Sequence, residues 1–172
     1  MQKVISILVE DKPGVLMRIA GLFYRRGFNI DALSVGSTEI SGKSRFTITV
    51  NGDEAVLEQV RKQVQKLLNV HRTAEHDSKN SQLREYALIK INFTESTKTE
   101  IIHLVEFFRG RVIDIFDGAA IIEIAEEESR IDAFIERLTP YGIIESLRTG
   151  KVSMYRGKKS LSTPTKVIKL AG

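Results

Sequence analysis

Residues 3–35, KVISILVEDKPGVLMRIAGLFYRRGFNIDALSV, decide the fold. The run 3–10 is apolar and β-branched, which predicts a buried strand. Asp11-Lys12-Pro13-Gly14 breaks it. Pro13 suits the first turn of a helix, where its missing N–H is not needed, and places Asp11 or Lys12 near the cap. Val15, Leu16, Ile19, Leu22 and Phe23 then recur at helical spacing on one face. Gly27 supplies the left-handed stop that ends a helix at little steric cost. Residues 30–35 make a second strand.

Working outward, Gly36 to Gly42 turns back into SRFTITV (44–50), where Phe46, Ile48 and Val50 alternate with Arg45, Thr47 and Thr49. The alternation predicts one buried and one wet face. Asn51-Gly52-Asp53 leads to a helix with Val56, Leu57, Val60, Val64, Leu67 and Leu68 on its apolar side, and 70–75 closes as a fourth strand. The order β-α-β-β-α-β is the ferredoxin-like plan. The polar run HDSKNSQLR (76–84) reads as a linker, after which the plan restarts. Strands are expected at 86–93, 111–116, 119–125 and 143–148, and helices at 96–109 and 129–138. Asp117-Gly118 is a strong hairpin signal. The fold class is therefore α+β, two tandem ferredoxin-like (βαββαβ) domains, at 1–76 and 85–150. Residues 77–84 form the linker and 151–172 a basic C-terminal tail.

With 172 residues and 42% apolar content, two small globular domains are affordable in length and core. The sequence pI of 9.3 raises the question of nucleic acid. However, seven of the 26 bases lie beyond Glu145 and no acid does, which leaves 19 bases against 22 acids in residues 1–145. The folded body is mildly acidic. The absence of Cys excludes disulfides and thiolate metal sites. No apolar run approaches a membrane span, and the N-terminus enters directly on a strand pattern. The expected setting is cytoplasmic, or plastid stroma if the chain is plastid-encoded.

The strand–DKPG–helix junction is the strongest candidate for chemistry. A helix N-terminus presents unpaired N–H groups and the positive end of the helix dipole. A glycine there lets a carboxylate approach closely. Asp11 could accept from an ammonium group, and Asn29 can donate and accept at once. Together with Val15, Leu16 and Ile30 these groups make an α-amino-acid site. On spacing alone the ordinary account, in which Pro13-Gly14 merely starts a helix and Asn29 fills a turn, is the stronger. The second unit has Thr94-Glu95-Ser96-Thr97-Lys98 at the same place, with no glycine; only the first unit is built for a ligand there.

The stretch ISILVEDKPGVLMRIAGLFYRRGFNIDALSV resembles the opening of an ACT domain, a regulatory amino-acid-binding module. With SRFTITVNGDEAVLEQVRKQVQKLLNV, EFFRGRVIDI and TGKVSMYRG, the resemblance narrows to the small regulatory subunit family of acetolactate synthase (acetohydroxyacid synthase), over roughly residues 2–158. The resemblance implies a non-catalytic chain that activates a catalytic large subunit and confers feedback inhibition by valine or another branched-chain amino acid. It implies a homodimer through ACT domains, with Asp11, Gly14, Val15 and Leu16 lining the effector site from one chain and Asn29 and Ile30 from the other. Thiamine diphosphate, Mg²⁺ and FAD are then expected on the catalytic partner, with no cofactor or metal in this chain. The family has Asn or Asp at the position of Asp11, so the charge of that contact varies.

Two other functions fit parts of the pattern. One is a stand-alone ACT-type amino-acid sensor, although nothing resembles a helix-turn-helix. The other is RNA binding on the same plan, which needs stacking aromatics on an exposed strand; SRFTITV offers one, on the buried alternation. Gly36 to Ser44 nearly spells a phosphate loop, but its spacing is wrong and it joins two strands. His71, His76 and His103 are expected in a strand, the linker and a helix, too scattered for a metal. No catalytic constellation stands out.

Overall fold

The computed structural model describes residues 2–162. The chain divides into two compact units. The first comprises the residues up to Ile30, Val35–Gln82 and the segment from Ser153 onward; the second comprises Asp31–Ser34 and Leu83–Val152.

The first sheet is built from β1 (Gln2–Glu10), β2 (Ile30–Ser37), β3 (Lys43–Asn51) and β4 (Val70–His76), in the order β2-β3-β1-β4. β1 is paired antiparallel on both sides, with Ile5 opposite Ile48 and Glu75, and residues 4–9 are all buried. Helices α1 (Val15–Arg25) and α2 (Glu54–Val64) bury Ile19, Phe23, Leu57 and Val60 against its apolar face. The expected stop at Gly27 is a complete Schellman cap. Gly27, at φ 72°, donates to the Tyr24 carbonyl at 3.0 Å and Phe28 N–H to the Phe23 carbonyl at 3.0 Å. The Phe28 ring then lies against Gly52, where any Cβ would come within 2.5 Å of it.

The second sheet joins β5 (Ser81–Asn92), β6 (Arg111–Phe116), β7 (Ala119–Glu126) and β8 (Ile143–Tyr155) in the order β6-β7-β5-β8. Asp117 and Gly118, at φ 49° and 74°, make the expected two-residue hairpin. Helices α3 (Lys98–Phe107) and α4 (Glu128–Leu138) close the core around Ile89, Ile91, Ile122 and Phe134. The fold class is the expected one.

Four local expectations need correction. α2 ends at Val64 and leaves Leu68 89% exposed, so the apolar stripe overran the helix. β4 extends through His76, which is buried rather than in a linker, and the break before β5 is a turn. Asp77 Oδ1 closes that turn, accepting from Lys79 and Asn80 N–H at 2.8 Å each. The face of β3 expected to be wet is buried: Thr47 and Thr49 are 4% and 3% exposed. Arg45 beneath it donates to Ser6 Oγ at 2.9 Å and Ser153 Oγ at 3.1 Å. Finally, β8 runs to Tyr155, well past Arg148, and Leu161 is buried against Leu8 and Ala74. Residues 163–172 of the expected tail lie outside the described residues.

In the second unit Arg148 grips the buried carboxylate of Glu85 through two bonds, at 2.9 and 2.6 Å, and reaches Asp132 at 2.7 Å. Removing one member of a buried pair leaves the other desolvated and uncompensated. Arg148→Met is therefore expected to destabilise this unit by about 3–5 kcal/mol, measured by urea unfolding against the unaltered chain.

Candidate functional site

The β1–α1 junction is held by backbone and side-chain contacts within the first unit. Asp11 N–H donates to the Gly42 carbonyl at 2.9 Å, and Glu10 N–H to the Asn69 carbonyl at 2.9 Å. Asn69 also donates to Glu10 Oε2 at 2.9 Å and accepts from Arg18 at 2.5 Å. Lys12, then Asn69, holds the Glu10 carboxyl below its usual range. Asn69 thus ties both ends of the loop to the strand beginning at Val70.

Gly14 is the N-cap of α1, at φ 81° and ψ −6°, and Pro13 stands in the turn before the helix rather than in its first turn. That left-handed conformation is the reason for glycine at 14. Nothing lies within 4 Å of the place a Cβ would occupy, so the space above Gly14 is open. No side chain caps α1, and its first turn carries no acid. Neither Asp11 nor Lys12 caps it. Val15 N–H reaches the Lys12 carbonyl at 3.4 Å and Arg18 N–H the Gly14 carbonyl at 3.1 Å. Between them, Leu16 and Met17 N–H have no partner among the described residues. Exposed donors and an uncompensated helix dipole favour an anion here.

The other helices differ. Asp53 closes α2 by accepting from Ala55 and Val56 N–H at 3.0 and 3.4 Å. α2, α3 and α4 each carry an acid in the first turn: Glu54, Glu100 and Glu128. At the junction before α3, Thr94 N–H is taken by Thr97 Oγ1 at 3.2 Å and the neighbouring hydroxyls bond one another.

The six expected residues fall into two groups at opposite ends of α1. Asp11, Gly14, Val15 and Leu16 surround its N-terminus, while Asn29 and Ile30 follow its C-terminus. The eleven-residue helix that begins at Val15 spans roughly 16 Å from one end to the other. Val15 is 3% exposed, so its side chain serves the core and only its backbone is available to a ligand. Leu16 is 41% exposed at the open end. Asp11 and Asn29 are exposed, and Ile30 is half-buried. Sequence reasoning missed Asn69, Gly42 and Arg18, whose roles arise from contacts across the sheet that no local pattern announces.

Among the described residues no group of His, Asp and Glu could hold a metal ion. The 36–44 segment joins β2 to β3, and Gly42 in it supplies the carbonyl that fixes Asp11. Phe46, the aromatic on which an RNA reading would rest, is 5% exposed. No described helix is long and apolar enough to cross a membrane.

Comparison with known proteins follows the same division. A family model described as "AHAS small subunit-like ACT domain" matches residues 5–72, and one described as "Small subunit of acetolactate synthase" matches residues 84–157. The chain is 46% identical, over 92% of its length and 99% of the relative's, to a probable acetolactate synthase small subunit of Archaeoglobus fulgidus. It is 45% identical to the acetolactate synthase small subunit of Mycobacterium leprae, covering 92% and 94% of the two chains. The crystal structure of the acetolactate synthase small subunit from Thermotoga maritima superposes with a TM-score of 0.84 at 44% identity, over 92% of this chain and 99% of that one.

His76 shows how burial sets a proton affinity in this unit. Desolvation, with the Arg45 and Lys159 cations, pushes its imidazole down to about 4 from 6.5. Between those values the unfolded chain binds a proton that the folded chain refuses, so stability is full above pH 6.5 and falls as pH drops towards 4. In His76→Phe that part of the acid dependence is expected to disappear, read as the urea midpoint across this range.

Proposed function

The chain belongs to the acetolactate synthase small-subunit family, and from that premise we propose that it activates the catalytic large subunit and imposes feedback inhibition by valine or another branched-chain amino acid. The observation that carries this reading is the open N-terminus of α1 beneath Gly14. An amino acid carries a carboxylate for the unpartnered N–H groups and an ammonium for Asp11. Its aliphatic side chain would meet Leu16.

Asn29 and Ile30 would complete the site from a second chain. Two features support pairing. β2 is an edge strand with neither Lys nor Pro to discourage strand addition. Met17 and Tyr24, seven residues apart and so on one face of α1, are 77% and 84% exposed. Effector bound between two chains would favour one dimer arrangement, and the docked catalytic subunit would lose activity in it. Linkage then requires the catalytic subunit to change effector affinity in return. Thiamine diphosphate, Mg²⁺ and FAD would be held by the catalytic partner.

Mixing the chain with the catalytic subunit is expected to raise acetolactate formation, and valine to reverse the gain. No rise and no valine response would refute the reading. Gly14→Asp narrows the test. Aspartate is strained at this φ but is among the residues that adopt the left-handed region, and its Cβ meets open space, so the variant is expected to fold and still activate. Its carboxylate would occupy the anion position, and losing one charge-assisted interaction of about 1.5–3 kcal/mol weakens valine by roughly tenfold or more. Calorimetric titration of valine measures the loss.

A further inference from the structure

β4 is an edge strand, paired with β1 on one side only. Such an edge leaves N–H and C=O groups open to another strand. A cleft of about 480 Å³ lies along it, lined by residues 71–74 together with Gln65, Tyr155, Lys159 and Leu161. Yet the edge is not bare. Thr73 N–H donates to Gln65 Oε1 at 2.6 Å, and Gln65 Nε2 donates to the His71 carbonyl at 3.2 Å.

These two backbone groups flank Arg72 and face away from β1. A primary amide carries one acceptor and a donor pair on adjacent atoms, so one side chain can satisfy both. Gln65 is the C-cap of α2, and its own N–H is bonded to the Arg61 carbonyl at 3.0 Å. The amide is therefore delivered to the strand edge by a fixed helix end.

We propose that the Gln65 side chain is an edge guard that closes β4 against strand addition by a second copy of this chain. The copy is the relevant occupant because the strand is self-complementary. An antiparallel register centred on Thr73 sets His71 of one copy opposite Glu75 of the other, on both sides of the axis. It would also bond Thr73 N–H to the Thr73 carbonyl of the other copy, the bond that Gln65 forestalls.

The test is the mass of the full chain by light scattering over a wide concentration range. The unaltered chain is expected to keep one mass, and Gln65→Ala to rise to twice that mass and beyond as concentration increases, because a dimer paired at β2 would carry two β4 edges. Adding Thr73→Pro to Gln65→Ala removes the N–H from an edge position that tolerates proline, and is expected to restore the original mass. A Gln65→Ala chain that keeps the original mass throughout, or a double variant that associates equally, overturns the proposal. Should Gln65→Ala fail to fold, amide exchange in the unaltered chain decides. Thr73 N–H is expected to exchange about tenfold or more below its unprotected rate, and exchange at the unprotected rate overturns the guard.

Discussion

A single backbone angle organises the candidate site of the first unit. β1 is bonded to β3 and β4 and buried along six residues, so the chain must leave the sheet abruptly at its end. The exit is made at Gly14, whose φ of 81° turns the chain straight into α1 without a capping side chain. A residue with a Cβ would be strained in that conformation, and one with a capping oxygen would consume the N–H groups that now face outward. Gly42 and Asn69 hold the loop from the sheet side, so the open helix end is rigid rather than incidental.

The second unit is a control written in the same chain. It repeats the strand–helix junction with hydroxyls that bond one another and an acid in the first turn. The dipole there meets an acid of its own first turn, Glu100. Two copies of one plan thus differ at the same junction: α1 begins at a left-handed glycine with no acid in its first turn, α3 at Thr97 with one. This asymmetry matches the separate family models that recognise the two halves.

Most of the fold was legible because its signals are local. The 3.6-residue stripe on α1, the Gly27 stop and the Asp117-Gly118 hairpin each act within a few residues. The buried polar face was not legible. Thr47 and Thr49 alternate as a wet face should, yet both are buried, and Ser6 beside Thr47 bonds Ser153 from the far end of the chain. Arg45 meets Ser153 across 108 residues, a partnership no period or motif encodes. The candidate site divides the same way. Gly14 and Asp11 stand out in the sequence, whereas Asn69 reveals its role only when β4 is laid beside β1.

The basic C-terminal end follows from this geometry as well. A high pI points to nucleic acid only if the cations share an accessible face. Arg148 is taken by Glu85 and Asp132, and Lys151 by Glu128 at 2.6 Å. Lys159 lies over the Tyr155 ring at 4.2 Å. Within the described residues, these three cations are spent on the chain's own acids and rings. The end of the last strand meets the polar face of the first sheet at Ser153, which bonds Ser6 Oγ at 3.0 Å and accepts from Arg45 at 3.1 Å.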